Sequence, residues 1–271
     1  MLQASLSILT VFFALPLLAQ VRFSAQYQPD QHYIISYSQS EVVSQNVSGD
    51  EAMVAAILAN DSSYGSVKKD SFCADLLLET YPPVVGDVIP FQWCSVPGKV
   101  DPACRSFQDE VCVRGHLLSH GAPEIDTVMA DPSSLLEEDL LSAMGVVFSQ
   151  VPFPDRPLYV GDTFMKQVSV PMGGAGALSS TAVREIYQLK EMNDSSALFE
   201  VKRYYEMQGG PAGFETWSEG NGKGYLRYSR EHGIIAEMFS NDEMVIHVQV
   251  GEVSIQTSRA SSFFQQTRVK P

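Results

Sequence analysis

His116, His120, Glu124 and Asp126 bring together, within eleven residues, the side-chain types that hold a metal ion or move a proton. Positions four apart share a face of a helix and also of a strand, so His116 and His120 are spaced as a ligand pair. Their surroundings withhold the rest of a metalloprotease. Leu117 follows the first histidine where a general-base glutamate belongs, and His116-Leu-Leu-Ser-His-Gly-Ala-Pro runs into a turn instead of a helix. The expected state is a solvated strand pair; His116 and His120 are the only metal candidates, and no cofactor is called for. No Gly-x-Ser-x-Gly elbow, phosphate loop or dinucleotide fingerprint occurs, and Gly173-Gly-Ala-Gly-Ala177 lacks the lysine and the helix those sites need. The 32 Asp and Glu residues leave a hydrolase with a site of scattered carboxylates, or of His116 and His120, as the alternative reading.

Cys73, Cys94, Cys104 and Cys112 form a second reactive cluster, separated by twenty, nine and seven residues. Without a Cys-x-x-Cys pair they do not read as a zinc ribbon. An even number of cysteines in an exported chain reads as two disulfides. Of the three pairings, Cys73 with Cys94 and Cys104 with Cys112 is favoured here because both loops are short and local.

Export itself is read from residues 1–20. Leu6 to Leu18 is apolar apart from Ser7, Thr10 and Pro16, too short to span a bilayer, and leads to Leu17-Leu18-Ala19-Gln20, with cleavage expected near Ala19 or Gln20. The first cysteine is Cys73, so no lipidated cysteine follows the signal. The exported part, periplasmic or secreted, has no second run of spanning length and is expected to be soluble. Its formal charge of −14 repels phosphate backbones and anionic lipids, which argues against binding to nucleic acid or to a membrane surface. Asn46-Val-Ser48, Asn60-Asp-Ser62 and Asn193-Asp-Ser195 are glycosylation acceptor tripeptides, each read as lying in a turn or loop.

The elements that position these residues follow from periodicity. Tyr33, Ile35 and Tyr37 alternate with Ile34, Ser36 and Ser38, a strand, with Val42 and Val43 opening its partner. Met53, Val54, Ile57 and Leu58 recur at helical spacing behind Ser48-Gly-Asp50, an N-cap signature. From 60 to 115 Pro82, Pro83, Pro90, Pro97 and Pro102 interrupt the pattern, and the window reads as a cysteine-stapled insertion. Ser134 with Glu137 is a capping box for an amphipathic helix over 134–148, its face lined by Leu136, Leu140, Met144 and Val147. Pro152, Pro154 and Pro157 end that first part (21–151), and residues 152–271 read as a meander expected to form one domain with it. Its runs are Leu158–Val170, Leu178–Leu189, Ala197–Met207, Phe214–Glu219, Tyr225–Ser229, Ile234–Ser240, Met244–Val250 and Val253–Thr257. Links such as Asn193-Asp-Ser-Ser196, Gly220-Asn-Gly222 and Asn241-Asp-Glu243 are too short for parallel crossovers.

Tyr27-Gln-Pro-Asp-Gln-His-Tyr33, Val160-Gly-Asp-Thr-Phe164, Gly220-Asn-Gly-Lys-Gly-Tyr225 and Tyr228-Ser-Arg-Glu-His-Gly233 resemble an exported bacterial family defined as a domain of unknown function. The resemblance spans most of the chain past the signal except Ser71 to Arg114. It implies a signal-bearing, β-rich module and supplies no catalytic residues.

The expected fold is mainly β (α+β): a curved up-and-down antiparallel sheet or partial barrel, one packed amphipathic helix and the stapled insertion. The expected function is a non-enzymatic exported binding or surface-associated module. Two ligand classes suit it. A hydrophobic ligand would occupy a hollow between the 134–148 helix and Phe199, Val201, Ile246 and Val248, unless these side chains fill one another. A carbohydrate would stack on exposed members of Trp93, Trp217, Tyr204, Tyr205, Tyr225 and Tyr228, although aromatic residues also suit half-buried strand positions.

Overall fold

Alternation of large apolar with polar side chains makes strands whose two faces meet different surroundings, and it is clear in β1, β2, β4 and β9. A computed structural model describes residues 21–60, 64–84, 86–96, 104–107, 110–118, 123–129, 151–172, 179–208 and 215–270. It contains β1 (His32–Gly49), α1 (Glu51–Asn60), β2 (Val67–Thr80), β3 (Ile89–Ser95), β4 (Cys112–Leu117) and β5 (Glu124–Met129). Then follow β6 (Thr163–Met172), β7 (Ser179–Met192), β8 (Ser196–Gln208), β9 (Glu215–Ser229), β10 (Ile234–Val250) and β11 (Val253–Val269). All eleven strands are antiparallel in one unclosed curved sheet of order β5-β4-β3-β2-β1-β11-β10-β9-β8-β7-β6. The chain winds outward from β1 to one edge, begins again at the other edge with β6, and returns until β11 pairs with β1.

The concave face holds two apolar clusters. Tyr33 and Ile35 of β1, Leu76 and Leu78 of β2, Phe91 and Trp93 of β3 and Val113 of β4 form one. Leu189 of β7, Phe199 and Val201 of β8 and Leu226 and Tyr228 of β9 form the other. The second cluster is completed from outside the sheet by Phe23, Val151 and Leu158. Val21 and Leu158 exchange backbone hydrogen bonds of 3.5 and 3.0 Å, which clamp the segment after residue 20 onto the segment before β6. Phe23 and Phe153 lie 5.4 Å apart and stand 5.2 and 5.5 Å from Phe199. Each such side chain removed from water contributes roughly 1.5–3 kcal/mol.

Several sequence expectations need correction, each for a local physical reason. The favoured disulfide pairing is wrong: the bonds are Cys73–Cys104 and Cys94–Cys112. Closeness in sequence is not closeness in a sheet. Cys94 and Cys112 are direct cross-strand partners on β3 and β4. Cys104 reaches Cys73 because its segment runs beside β2, with Cys73 N donating to Arg105 O (2.9 Å) and Arg105 N to Ser71 O (2.7 Å). The stapled window is also more regular than its prolines suggest, since it carries β2, β3 and β4 of the common sheet.

Gly220-Asn-Gly222 and Asn241-Asp-Glu243 are not turns. They lie mid-strand and directly opposite each other, Gly222 paired with Asp242 and Asn221 with Glu243. A Cβ at Gly222 would stand where the Asp242 carboxylate lies, so this glycine provides space for a neighbour and not a bend. Val42 and Val43 likewise continue β1 instead of opening a second strand.

Asp50 does cap α1, its Oδ1 accepting from Met53 N at 3.0 Å. Yet α1 buries none of its residues: Met53 is 47 % and Leu58 43 % exposed. Asn193 behaves as a turn residue, its Oδ1 accepting from Ser195 N and Ser196 N at 3.0 and 2.8 Å. Asn46 sits inside β1 and Asn60 is the last residue of α1, with Asp61 and Ser62 outside the described residues, whereas Asn193 is in a turn. The 134–148 helix, residues 1–20 with the expected cleavage point, and the 173–176 turn lie outside the described residues.

Candidate functional site

Strand register places a row of charged side chains across the concave face. Glu185 of β7 is opposite Arg203 of β8, which is opposite Gly222 of β9, then Asp242 of β10, Ser261 of β11, Glu41 of β1 and Asp70 of β2. Arg203 donates from Nε to Glu185 Oε1 (2.8 Å) and from Nη1 to Asp242 Oδ2 (3.0 Å). Tyr187 OH donates to Glu185 Oε2 (2.8 Å) and Ser240 Oγ to Asp242 Oδ2 (3.0 Å). Arg259 pairs with Glu41, and Arg105 makes a two-pronged contact with Asp70 at 2.5 and 2.7 Å.

Burial favours loss of charge on Arg203, but Asp242 and Glu185 more than offset it and hold the guanidinium above its ordinary range. Burial, reinforced by Glu185 and by Asp242 respectively, raises the Tyr187 and Tyr205 phenols. Glu185, Asp242, Glu41 and Asp70 are each paired with an arginine, so the row links the strands as a polar clasp.

His116 of β4 faces β5, with Nδ1 3.0 Å from Asp126 Oδ2, and Glu124 is its register partner. The two paired side chains are 35 % and 50 % exposed, the geometry of a surface ion pair. His120 lies outside the described residues. Glu110 approaches Cys94 and Cys112, but those sulfurs are bonded to each other and supply no thiolate. A polar cleft of about 450 Å³ is lined by Gln28, Gln31, Tyr33 and the Arg230-Glu-His-Gly233 turn.

The aromatic candidates separate by face. Trp93 and Tyr228 are buried in the two core clusters. Tyr205 faces inward one step beyond the clasp, level with Gly220 and Met244. Tyr204 and Trp217 point outward and are 40 % and 47 % exposed. Arg184 covers Tyr204, its guanidinium carbon 5.2 Å from the ring centre. Tyr225 stacks on Phe239 at 5.6 Å and donates to Glu237 Oε1 at 2.6 Å. Trp217 lies parallel to His247 of β10, centroids 4.9 Å apart and planes within 5°. That contact covers one ring face. On the other side the β8–β9 pairing ends at Glu206 and Glu219, two residues short of Trp217.

Face parity was available in the sequence: even-numbered Leu226 and Tyr228 point inward, so odd-numbered Trp217 points outward. Reading a turn at 220–222 broke that count.

Comparison with known protein families and with curated proteins finds no match. Among solved structures, the chain is similar to the outer membrane protein OprG from Pseudomonas aeruginosa at 11% identity and a TM-score of 0.20, covering 90% of this chain and 99% of that one. It is also similar to Ail, the attachment invasion locus protein of Yersinia pestis, at 8% identity and a TM-score of 0.13, covering 87% and 99%. Among the described residues no helix is long and apolar enough to cross a membrane.

Proposed function

We propose that the protein is an exported, non-enzymatic binding module whose contact surface is the convex face of its curved sheet. The observation that carries this reading is the contrast between the faces. The apolar floor around Phe199 and Val201 is filled by Phe23, Phe153 and Leu158, while the convex face keeps Trp217 in contact with solvent. Interiors packed in this way leave no room for a hydrophobic ligand at that point. Two disulfides suit an oxidising compartment.

The same convex face argues for a place outside the bilayer. Arg184, Lys190, Lys202, Lys223 and Arg227 all lie on it and are exposed. A lipid-facing strand surface is an apolar band about 25 Å tall, and cations at its middle cost roughly 2–4 kcal/mol each.

The test is retention of the purified full chain on the washed insoluble envelope fraction of the producing cell. Trp217→Ala is expected to release it, whereas Glu231→Gln in the polar cleft leaves retention unchanged. No retention of the parent chain, or retention indifferent to Trp217 and sensitive to Glu231, overturns the reading.

A further inference from the structure

Binding through the convex face leaves the ligand's chemistry open, and the row that contains Trp217 narrows it. Register sets four outward side chains side by side across four strands: Trp217 of β9, His247 of β10, Gln256 of β11 and Asn46 of β1. Three interstrand spacings of about 4.8 Å make this a row of roughly 14 Å. One half is a flat aromatic stack and the other is a pair of neutral amides. An aromatic face is complementary to an uncharged surface of C–H bonds, and amides donate and accept hydrogen bonds at once. A sugar ring presents both features together, C–H bonds on its faces and hydroxyl groups around its rim.

Charge narrows the choice further. Glu215 and Glu219 lie on the same face, two residues either side of Trp217, and the whole chain carries −14. Anionic polymers such as uronic-acid glycans or nucleic acids are repelled from the surface immediately around Trp217, the cations of this face lying farther along the strands at Arg184, Lys202, Lys223 and Arg227. Other exposed aromatic groups on this face are less available, because Arg184 covers Tyr204 and Phe239 backs Tyr225.

We propose that Trp217 and His247 form a stacking platform for a neutral carbohydrate, with Gln256 and Asn46 hydrogen-bonding its hydroxyl groups. This assignment rests on the convex-face reading and adds its ligand class. One pyranose stacks on the Trp217 ring face turned away from His247, on the β8 side, and the oligosaccharide passes from there over the edges of the two rings toward Gln256 and Asn46. Since Asn46 is also a glycosylation acceptor, the platform is complete only where that amide is unmodified.

The experiment titrates full-length protein made without N-glycosylation with neutral hexasaccharides of α- and β-linked hexoses and with a uronic-acid hexasaccharide. Trp217 fluorescence and the His247 ring-proton resonances report binding. At least one neutral sugar is expected to bind saturably and shift both signals, and the uronic-acid oligomer to bind at least about tenfold more weakly. Trp217→Ala should weaken neutral-sugar binding about tenfold. His247→Phe, which keeps a stacked ring, should stay within about threefold, and Gln256→Ala should lose a few-fold. The proposal is overturned if no neutral sugar binds or if binding ignores Trp217→Ala. If the same neutral sugars also fail to compete the chain off the envelope fraction while Trp217→Ala still releases it, the carbohydrate assignment falls and the convex-face reading stands. If Trp217→Ala does not release it either, both fall.

Discussion

Trp93 and Trp217 stand on strands of one sheet, yet Trp93 is fully buried beside Leu78, Val113 and Phe107 whereas Trp217 is 47 % exposed with one face against His247. The difference teaches what each face is for. On the concave side large side chains are met by other parts of the same chain: Phe23 and Phe153 for one cluster, Phe107 for the other. On the convex side, near β9 and β10, nothing comparable from the described chain covers Trp217. Trp217 therefore keeps solvent-exposed ring surface that the described chain does not use, which is the feature the convex-face proposal builds on.

Substitutions turn that contrast into numbers. Trp93→Ala should destabilise by about 3–5 kcal/mol in denaturant titration, the cost of emptying a large core position. Trp217→Ala should change stability by no more than about 0.5 kcal/mol. Comparable losses at both positions would erase the distinction between the faces.

Arg203→Met comes next. It leaves Glu185 and Asp242 close together without their shared cation, and breaking a largely buried pair in this way costs on the order of 3 kcal/mol. Replacing Lys202, its outward neighbour, should cost a few tenths of a kcal/mol. If the two are equal, the clasp is not a structural element of the concave face.

Removing the Cys94–Cys112 bridge by a double serine substitution should cost about 2–3 kcal/mol, since it frees a closed segment with a sequence separation of 18. The effect should appear first as faster amide exchange in β3 and β4, with β8 to β10 little changed. Uniform loosening of the sheet would show that the two regions do not open separately.

The smallest effect belongs to Asp70. Arg105 hydrogen-bonds its carboxylate and holds it below the ordinary range, although the pair is about half exposed. A depressed carboxylate stabilises fully above its unfolded pKa, and the contribution disappears as pH falls through the lower folded value. Asp70→Asn should therefore remove a few tenths of a kcal/mol at neutral pH and nothing at strongly acidic pH. An unchanged acid limb in the variant would contradict the pairing.

The mainly β, curved antiparallel architecture was legible because alternation is a local property: Tyr33, Ile35 and Tyr37 declare their face by sequence alone. What failed was punctuation. Gly220-Asn-Gly222 and Asn241-Asp-Glu243 carry turn chemistry, but each exists to accommodate the other across β9 and β10, a long-range relation that no short window contains. The disulfide pairing failed for the same reason, because Cys94 meets Cys112 through strand register and Cys104 meets Cys73 through a segment laid beside β2. The charged row of Glu185, Arg203 and Asp242 could not be seen until four strands, β7 to β10, were aligned. His116 lies on β4, and its surface pairing with Asp126 could be seen only once the hairpin partner was in place.

With only two tryptophans in the chain, acrylamide quenching of intrinsic fluorescence tests the division between the faces most directly. The parent protein should show two populations, one readily quenched and one protected, and Trp217→Phe should remove the quenchable population while leaving the protected emission of Trp93. Equal access of the quencher to both residues, or a quenchable signal that survives Trp217→Phe, would contradict the account.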